Sequence, residues 1–293
     1  MSALPPVAEA IARVAVLGAG QMGSGIAQVC ASAGLQVVMR DLDAGALERA
    51  RSTIASSLDR LIAKGRTTEE AKAATLARIG VSTEAGALAD ADVVIEAVTE
   101  NEAVKLAIFR ELAATCRADA ILASNTSSIS LTRLAAACTH PQRVIGMHFM
   151  NPVPMMALVE IIRARQTSQA TFEAIDALAR RLGKTPVSVL NSPGFVSNRV
   201  LIPMINEAAF CLHEGLASAE EIDTVMKLGM SHPMGPLALA DLIGIDTVLS
   251  IMRVLHDGFN DSKYRPCPLL VEMVDAGHLG RKSGRGFHEY PAR

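Results

Sequence analysis

The feature that most limits how this chain can fold is a run of 26 residues, from Val14 to Met39, without a charged side chain. A run of this length is long enough to cross a bilayer. However, it contains five glycines and three glutamines, and the first glycines stand where a strand pattern stops and a helical pattern begins. The run therefore favours a buried strand, a turn and a buried helix over a membrane span.

The first glycines of this run form the pattern Gly-x-Gly-x-x-Gly: Gly18, Gly20, Gln21, Met22 and Gly23. Such a pattern binds a dinucleotide when it follows a strand and opens a helix, which is the context predicted here. The first glycine permits a tight turn, the second lets backbone approach a pyrophosphate, and the third lets the helix pack on the strand. The start of the helix offers free N–H groups and a positive dipole end to the phosphates.

The second predicted strand leads into Asp41, eighteen residues after Gly23. An acid at this point accepts hydrogen bonds from both ribose hydroxyls and repels a 2′-phosphate, so the sequence predicts NAD as the cofactor. Arg40, directly before it, weakens this preference, and NADP stays open as an alternative.

Short apolar runs alternate with helical patterns through the first two-thirds of the chain, which is typical of a doubly wound α/β domain of the Rossmann type. The predicted strands are Val14–Leu17, Gln36–Met39, Val93–Ala97, Ala120–Ala123, Val144–Met147, Leu158–Ile162 and Val187–Leu190. The predicted helices lie near 22–33, 44–64, 101–116 and 170–182. We expect this domain, with a protruding helical hairpin, to occupy residues 1–190.

The character of the chain changes at the turn-forming segment Asn191–Gly194. Beyond it, helical patterns lie near 195–214, 218–229, 236–256 and 267–276, without a convincing strand. The sequence therefore predicts a second, all-helical domain over residues 191–293.

Composition excludes several classes of function. The 28 Lys and Arg nearly balance the 30 Asp and Glu, and with only seven Phe, two Tyr and no Trp we expect no nucleic-acid partner. Residues 1–13 show no signal-peptide pattern and we expect no membrane span, which predicts a cytoplasmic protein. The five cysteines are scattered without ligand spacing, so we expect neither a disulfide framework nor a metal site.

The predicted helix 44–64 is longer than a crossover helix needs to be. Six apolar residues repeat on one face: Leu47, Ala50, Ile54, Leu58, Leu61 and Ile62. Ser57, Arg60 and Lys64 fall together on another face. A basic face of this kind could meet an anionic substrate, or it could be an ordinary solvated surface, and the pattern alone favours the solvated surface.

Polar residues also occur where strands of the sheet end. The cluster Ser124–Ser128 follows one strand, His148 ends another, and Glu160 interrupts the apolar run 158–162. Ligands of open α/β sheets bind outside the carboxyl ends of the strands. A carboxylate in an apolar strand requires a partner. For Glu160 this partner is either an arginine or His148, since the turn-rich segment Asn151–Pro154 could fold the two strands together. A carboxylate on one nitrogen of His148 would let the other accept a proton from a hydroxyl, although a single histidine is often structural.

Eight segments, taken together and in this order, resemble the 3-hydroxyacyl-CoA dehydrogenase family in its short, single-function bacterial form. They are Gly18–Gln28, Val94–Ala97, Ile121–Ser128, Gly146–Pro152, Leu158–Glu160, Pro193–Arg199, Pro233–Pro236 and Gly280–Phe287. The resemblance implies oxidation of an (S)-3-hydroxyacyl-CoA, with 3-hydroxybutyryl-CoA the expected substrate, to the 3-oxoacyl-CoA, or the reverse reduction, with NAD. It also implies a homodimer formed through the helical domain.

The resemblance further assigns roles to individual residues. His148 matches the general acid/base and Glu160 the carboxylate that orients it. Ser127 and Asn198 match residues near the reacting oxygen, and Asn151 one that holds the His–Glu pair and the substrate. Asp41 matches the ribose acid, and Glu100 and Lys105 match further cofactor contacts. Ser57 and Lys64 match CoA contacts, which reverses the preference for a solvated face.

Two other functions are compatible with parts of this pattern. Relatives on the same fold oxidise a sugar acid or carnitine instead of an acyl-CoA. A nucleotide-binding protein without catalysis is the third possibility, and the presence of His148, Glu160, Ser127 and Asn198 argues against it, since such a protein has no physical need for them.

Overall fold

The computed structural model describes residues 11–291, and the chain divides into two compact units between Asn191 and Ser192. The outer ends of both predicted domains, and most of the segment 1–13 in which no signal peptide is predicted, lie outside the described residues.

From residue 11 onwards, the first unit contains eight strands in one sheet. They are β1 (Arg13–Leu17), β2 (Gln36–Arg40), β3 (Ile79–Ser82), β4 (Val93–Glu96), β5 (Ile121–Ser124), β6 (Val144–Phe149), β7 (Leu158–Arg163) and β8 (Thr185–Leu190). Their spatial order is β3-β2-β1-β4-β5-β6-β7-β8, and every neighbouring pair is parallel except β6 with β7. The predicted Rossmann-like sheet is confirmed.

Six α-helices accompany the sheet in the described part of this unit. They are α1 (Gln21–Ser32), α2 (Ala44–Ala63), α3 (Glu69–Ala77), α4 (Glu102–Thr115), α5 (Leu131–Ala136) and α6 (Gln169–Arg181). The charge-free run is β1, a glycine turn, α1 and β2, and its strands and helix are largely buried. Within the described part of the chain, no helix is both long enough and apolar enough to cross a membrane.

The glycine turn after β1 has a steric reason for each of two glycines. Gly18 has φ +106°, and a Cβ there would lie 2.6 Å from the carbonyl oxygen of Ala97. A Cβ on Gly23 would lie 1.8 Å from the carbonyl oxygen of Gly18. Only glycine therefore allows α1 to start this close to the end of β1.

Three elements of this unit have no counterpart among the predicted strands and helices, namely β3, α3 and α5, although the expected hairpin requires a second helix where α3 lies. β3 is a four-residue edge strand that includes Gly80. α3 is alanine-rich with a single buried residue, and its start is set by the Thr68 side chain, which accepts a hydrogen bond from the N–H of Ala71. β3 lacks the alternation that predicts a strand, and α3 lacks the apolar stripe that predicts an amphipathic helix.

α2 and α3 follow each other across a turn at Gly65, which has φ +63°. The predicted apolar face of α2 is confirmed, since Leu47, Ala50, Ile54 and Leu58 are buried. An ion pair between Lys72 and Asp59 joins α3 to α2. Ser57 is half-buried on this pair of helices and Lys64, at its turn, is exposed.

Up to residue 291, the second unit contains five α-helices: α7 (Ser197–His213), α8 (Ala219–Gly229), α9 (Pro236–Ile243), α10 (Ile245–Phe259) and α11 (Pro268–Asp275). The predicted all-helical character is confirmed, and among its described residues β-pairing is limited to isolated bridges at Arg285. The prediction of one helix over 236–256 is wrong. Gly244 divides it with φ +104° and ψ 124°, a conformation that no helix continues.

Candidate active site

A cavity of about 770 Å³ opens at the carboxyl ends of β1, β2 and β4, where the order of the sheet reverses direction. This reversal is where doubly wound sheets bind ligands. Five residues predicted to hold the cofactor line it: Gly18, Gly20, Gln21, Met22 and Asp41. Its walls are completed mainly by apolar residues after β4 and on α4, including Val98, Val104 and Ile108.

The residues of this cavity fit a dinucleotide. A Cβ on Gly20 would meet no atom within 4 Å, so the surface of the turn is open at the point where a pyrophosphate must approach. α1 starts at Gln21 without a side-chain cap, so no side chain competes for its first N–H groups. Asp41 accepts a hydrogen bond of 2.7 Å from the N–H of Ala19, which fixes the acid beside the turn.

Three further residues predicted to meet the cofactor, Gly23, Glu100 and Lys105, are not among those that line this cavity. Gly23 packs under Gly18, while Lys105 is 1% exposed and Glu100 lies beside the loop after β5. Lys105 and Glu100 belong to a polar network at the ends of β4 and β5. Their contact with a cofactor stays a prediction.

The polar network starts from Glu96, the last residue of β4, which is fully buried. Its carboxylate accepts hydrogen bonds from the Lys105 Nζ at 2.5 Å, from the Ser124 hydroxyl at 2.6 Å and from the N–H of Val98 at 2.7 Å. The Lys105 Nζ also lies 3.5 Å from Glu100 Oε2. Sequence analysis missed Glu96 as a site residue, although its signal is the same as that of Glu160, an acid in an apolar strand.

Glu100 organises the loop that carries Ser127. Its Oε1 accepts hydrogen bonds from the Thr126 hydroxyl and from the N–H groups of Ser127 and Ser128, at 2.5, 2.9 and 3.0 Å. Burial raises the pKa of the Glu100 carboxyl, but Lys105 and these hydrogen bonds outweigh it and hold the pKa below its usual value. The carboxylate is therefore stabilised in its charged form.

His148 and Glu160 face each other across the antiparallel pair β6 and β7. They are direct partners in the register, and His148 Nδ1 lies 2.8 Å from Glu160 Oε2. The two side chains are 10% and 3% exposed in the order named, so the pair is shielded from water. The predicted partnership of these residues is thus present in the structure.

The remaining predicted site residues lie on separate segments. Asn151 is exposed in the turn after β6 and precedes a cis peptide bond to Pro152. Asn198 lies in the first turn of α7, in the second unit. Asn125, which sequence analysis did not single out, accepts a hydrogen bond of 2.9 Å from the N–H of Phe149 and so ties the Ser127 loop to the strand of His148.

Comparison with known proteins identifies both units. The family described as 3-hydroxyacyl-CoA dehydrogenase, NAD binding domain, matches residues 13–192, and the family described as its C-terminal domain matches residues 194–290. The chain belongs to the 3-hydroxyacyl-CoA dehydrogenase family. It is thus an NAD-dependent oxidoreductase, as the sequence predicts, and neither the sugar-acid or carnitine alternative nor the non-catalytic one is supported.

Relatives in this 3-hydroxyacyl-CoA dehydrogenase family are similar over nearly the whole chain. A probable 3-hydroxybutyryl-CoA dehydrogenase of Bacillus subtilis is 56% identical over 96% of this chain and 98% of its own. The 3-hydroxybutyryl-CoA dehydrogenase of Bradyrhizobium diazoefficiens is 55% identical over 97% of each. The crystal structure of (S)-3-hydroxybutyryl-CoA dehydrogenase PaaH1 from Ralstonia eutropha is 56% identical, covers 96% of this chain and all of its own, and superposes with a TM-score of 0.94.

Proposed function

We propose that this dehydrogenase interconverts (S)-3-hydroxybutyryl-CoA and acetoacetyl-CoA, with His148 as the general acid/base and Glu160 as the carboxylate that orients it. The contact of 2.8 Å between the two buried side chains carries the proposal. The choice of a four-carbon acyl group is supported by the relatives at 55–56% identity, which are named for that substrate.

The N–H at Nδ1 of His148 donates a hydrogen bond to the Glu160 carboxylate, which leaves Nε2 as the basic nitrogen. Nε2 takes the hydroxyl proton of the substrate during oxidation and returns it to the carbonyl oxygen during reduction. Glu160 stabilises the imidazolium that forms when Nε2 holds this proton. NAD, when bound, supplies the hydride acceptor.

Ser127 and Asn198 hold the reacting oxygen, where negative charge develops in the reduction, and Asn151 helps to hold the substrate against the His–Glu pair. Ser57 and Lys64, on α2 and at its end, contact the CoA nucleotide. Gly18, Gly20, Gln21, Met22, Gly23 and Asp41 hold the cofactor. Glu100 and Lys105 complete that set, and Lys105 acts through its ion pairs because it is buried.

We further infer a cytoplasmic homodimer formed through the second unit. This unit leaves several large apolar side chains exposed: Val196, Val200, Leu216, Val225, Leu228, Met230 and Leu242. Apolar surface of this extent is typical of a protein interface. A second copy of the chain is the partner that the family resemblance implies.

The proposal is tested by the reduction of acetoacetyl-CoA with NADH, followed by absorbance, in the wild type and in His148→Gln. We expect His148→Gln to bind NADH with unchanged Kd, because His148 does not line the glycine-turn cavity, and to lose most of its activity. A fully active His148→Gln enzyme would overturn the assignment. Wild-type enzyme that reduces free acetoacetate as well as its CoA ester would instead overturn the role of CoA.

A further inference from the structure

Besides the His148–Glu160 pair, the first unit contains a second buried carboxylate at the carboxyl edge of its sheet, Glu96. Burying a carboxylate is unfavourable unless it is paired and hydrogen-bonded, and Glu96 meets both conditions through Lys105, Ser124 and the N–H of Val98. Pairing explains why Glu96 is tolerated. It does not explain why a charged pair stands at this place in the sheet.

The Lys105 ammonium is shared unequally between two carboxylates. It lies 2.5 Å from Glu96 Oε1 and 3.5 Å from Glu100 Oε2. Because a buried ammonium must keep an anionic partner, its position is determined by the stronger of these two contacts. Glu96 therefore holds the ammonium away from full contact with Glu100.

The position of Glu100 in turn determines the shape of the Ser127 loop. The Glu100 side chain is 37% exposed and would sample several rotamers if it were free, but Lys105 holds one of its oxygens. The other oxygen accepts hydrogen bonds from Thr126, Ser127 and Ser128. A movement of the Glu100 carboxylate would carry these donors with it.

We propose that Glu96 is a positioning residue for Ser127, which it acts on through Lys105 and Glu100. When Glu96 loses its charge, the Lys105 ammonium moves to Glu100, draws the Glu100 carboxylate out of the loop and displaces the Ser127 hydroxyl from the reacting oxygen. This inference rests on the proposed role of Ser127 in the reaction. It adds to that role a residue that contacts neither substrate nor cofactor.

The opposite end of the same strand offers a matched control. Asp92 directly precedes β4, is also buried and accepts hydrogen bonds from the N–H groups of Ala12 and Arg13 and from Arg117. It is thus a buried, paired carboxylate next to the first residue of the same strand, at the edge of the sheet away from the Ser127 loop. Asp92→Asn therefore measures the effect of removing a buried charge at a position away from the Ser127 loop.

The experiment is a double-mutant cycle on kcat for acetoacetyl-CoA reduction, with Glu96→Gln, Ser127→Ala and both together. We expect Ser127→Ala to lower kcat by roughly 10²-fold and Glu96→Gln by roughly tenfold. Because Glu96→Gln acts by displacing a hydroxyl that Ser127→Ala removes, the double variant should be no slower than Ser127→Ala alone. All rates are measured at saturating NADH, because Glu100 and Lys105 belong to the proposed cofactor set and Val98, which binds Glu96, lines the cofactor cavity.

The outcomes distinguish a positioning role of Glu96 from a purely structural one. A double variant slower than Ser127→Ala by the full tenfold, or coupling equally strong between Asp92→Asn and Ser127→Ala, would show that Glu96 is merely structural and would overturn the inference. Full activity in Ser127→Ala would refute the role of Ser127 and the inference with it. The His148→Gln assay tests the general base separately.

A milder variant keeps the inference testable if Glu96→Gln does not fold. Glu96→Asp keeps the charge but shortens the side chain by one methylene group, which weakens its contact with the Lys105 ammonium. Its smaller loss of kcat should also disappear in the Ser127→Ala background. A loss that persists there contradicts the proposed chain of contacts.

Discussion

At the scale of single residues, Gly20 and Gly23 belong to one motif but meet different surroundings. A methyl group on Gly23 would collide with the carbonyl oxygen of Gly18 at 1.8 Å, whereas one on Gly20 would enter the open cavity. The motif therefore combines a packing requirement at one glycine with a binding requirement at the other.

Substitution by alanine should separate these two requirements. We expect Gly23→Ala to lower the free energy of unfolding by about 1–3 kcal/mol, because backbone must move to admit the methyl group. Gly20→Ala should stay within about 0.5 kcal/mol of wild type but weaken NADH binding, because its methyl group occupies space that the pyrophosphate needs. Urea unfolding and NADH fluorescence titration measure both variants. Equal stability of the two would contradict the packing argument.

Glu160 offers a second test at this scale. Glu160→Gln keeps the volume of the side chain but removes the charge that, in the proposed mechanism, stabilises the imidazolium of His148. We expect a loss of about 2–4 kcal/mol of transition-state stabilisation, measured as kcat/KM for acetoacetyl-CoA. Glu84→Gln, an exposed carboxylate on the same unit, is the control and should not change the rate. A Glu160→Gln enzyme as fast as this control would exclude the orienting role.

At the scale of elements, the boundary between α9 and α10 depends on one residue. Gly244 has φ +104°, and a Cβ there would lie 2.9 Å from Asp246 Oδ1, which pairs with Lys282 at 2.6 Å. The apolar pattern continues across this boundary, which is why the sequence predicts a single helix. The break between the two helices becomes visible only in the folded structure.

Gly244→Ala should lower the free energy of unfolding by about 1–3 kcal/mol, since the new side chain is strained and presses on the Lys282–Asp246 pair. The control is Gly229→Ala at the end of α8, where a Cβ would meet no atom within 4 Å. That variant should be unchanged or more stable by up to about 1 kcal/mol. Thermal unfolding compares them. An unaffected Gly244→Ala would show that the break between the helices needs no glycine.

The loop after β5 should respond to pH through Glu100, whose pKa is held below its usual value chiefly because Lys105 and the loop donors outweigh burial. Because the folded pKa lies below the unfolded value of about 4.3, this contribution to stability is full above that value and is lost as the pH falls through the folded pKa. Wild type should therefore lose stability more steeply than Glu100→Gln below about pH 4.3. Urea unfolding from pH 7 downwards tests this, and parallel curves would contradict it.

At the scale of the whole molecule, the proposed homodimer depends on the apolar side chains that the second unit leaves exposed. Leu228, on α8, is 82% exposed, and Val225 lies one turn before it on the same helix. An interface between two copies would bury both side chains.

Val225→Glu combined with Leu228→Glu should convert the dimer into a monomer, because charged groups would be buried at the interface without partners. Light scattering after size-exclusion chromatography measures the mass. Val187→Glu, which adds a charge at a half-exposed apolar position on β8, should leave the wild-type mass unchanged. A wild-type protein with the mass of one chain would refute the dimer, and a double variant with the mass of two would exclude α8 from the interface.

Local chemistry accounts for most of what the sequence predicts correctly. The glycine spacing around Gly18 and the buried apolar strands β1, β4 and β6 follow from steric limits and from hydrophobic periodicity, both of which are properties of neighbouring residues. The short edge strand β3 and the alanine-rich α3 were missed because their stability comes from contacts with β2 and α2, not from their own pattern.

Residue type and local spacing are enough to predict the glycine turn, the acid that follows β2, the two structural classes and the presence of His148 and Glu160. The folded chain is needed to show that Glu160 lies directly opposite His148, and that Glu96, Lys105 and Glu100 form one network beside the Ser127 loop. These partners are set by strand order and register. Strand order and register depend on which segments of the chain pack together, so the pattern of one segment leaves the partner of each side chain open.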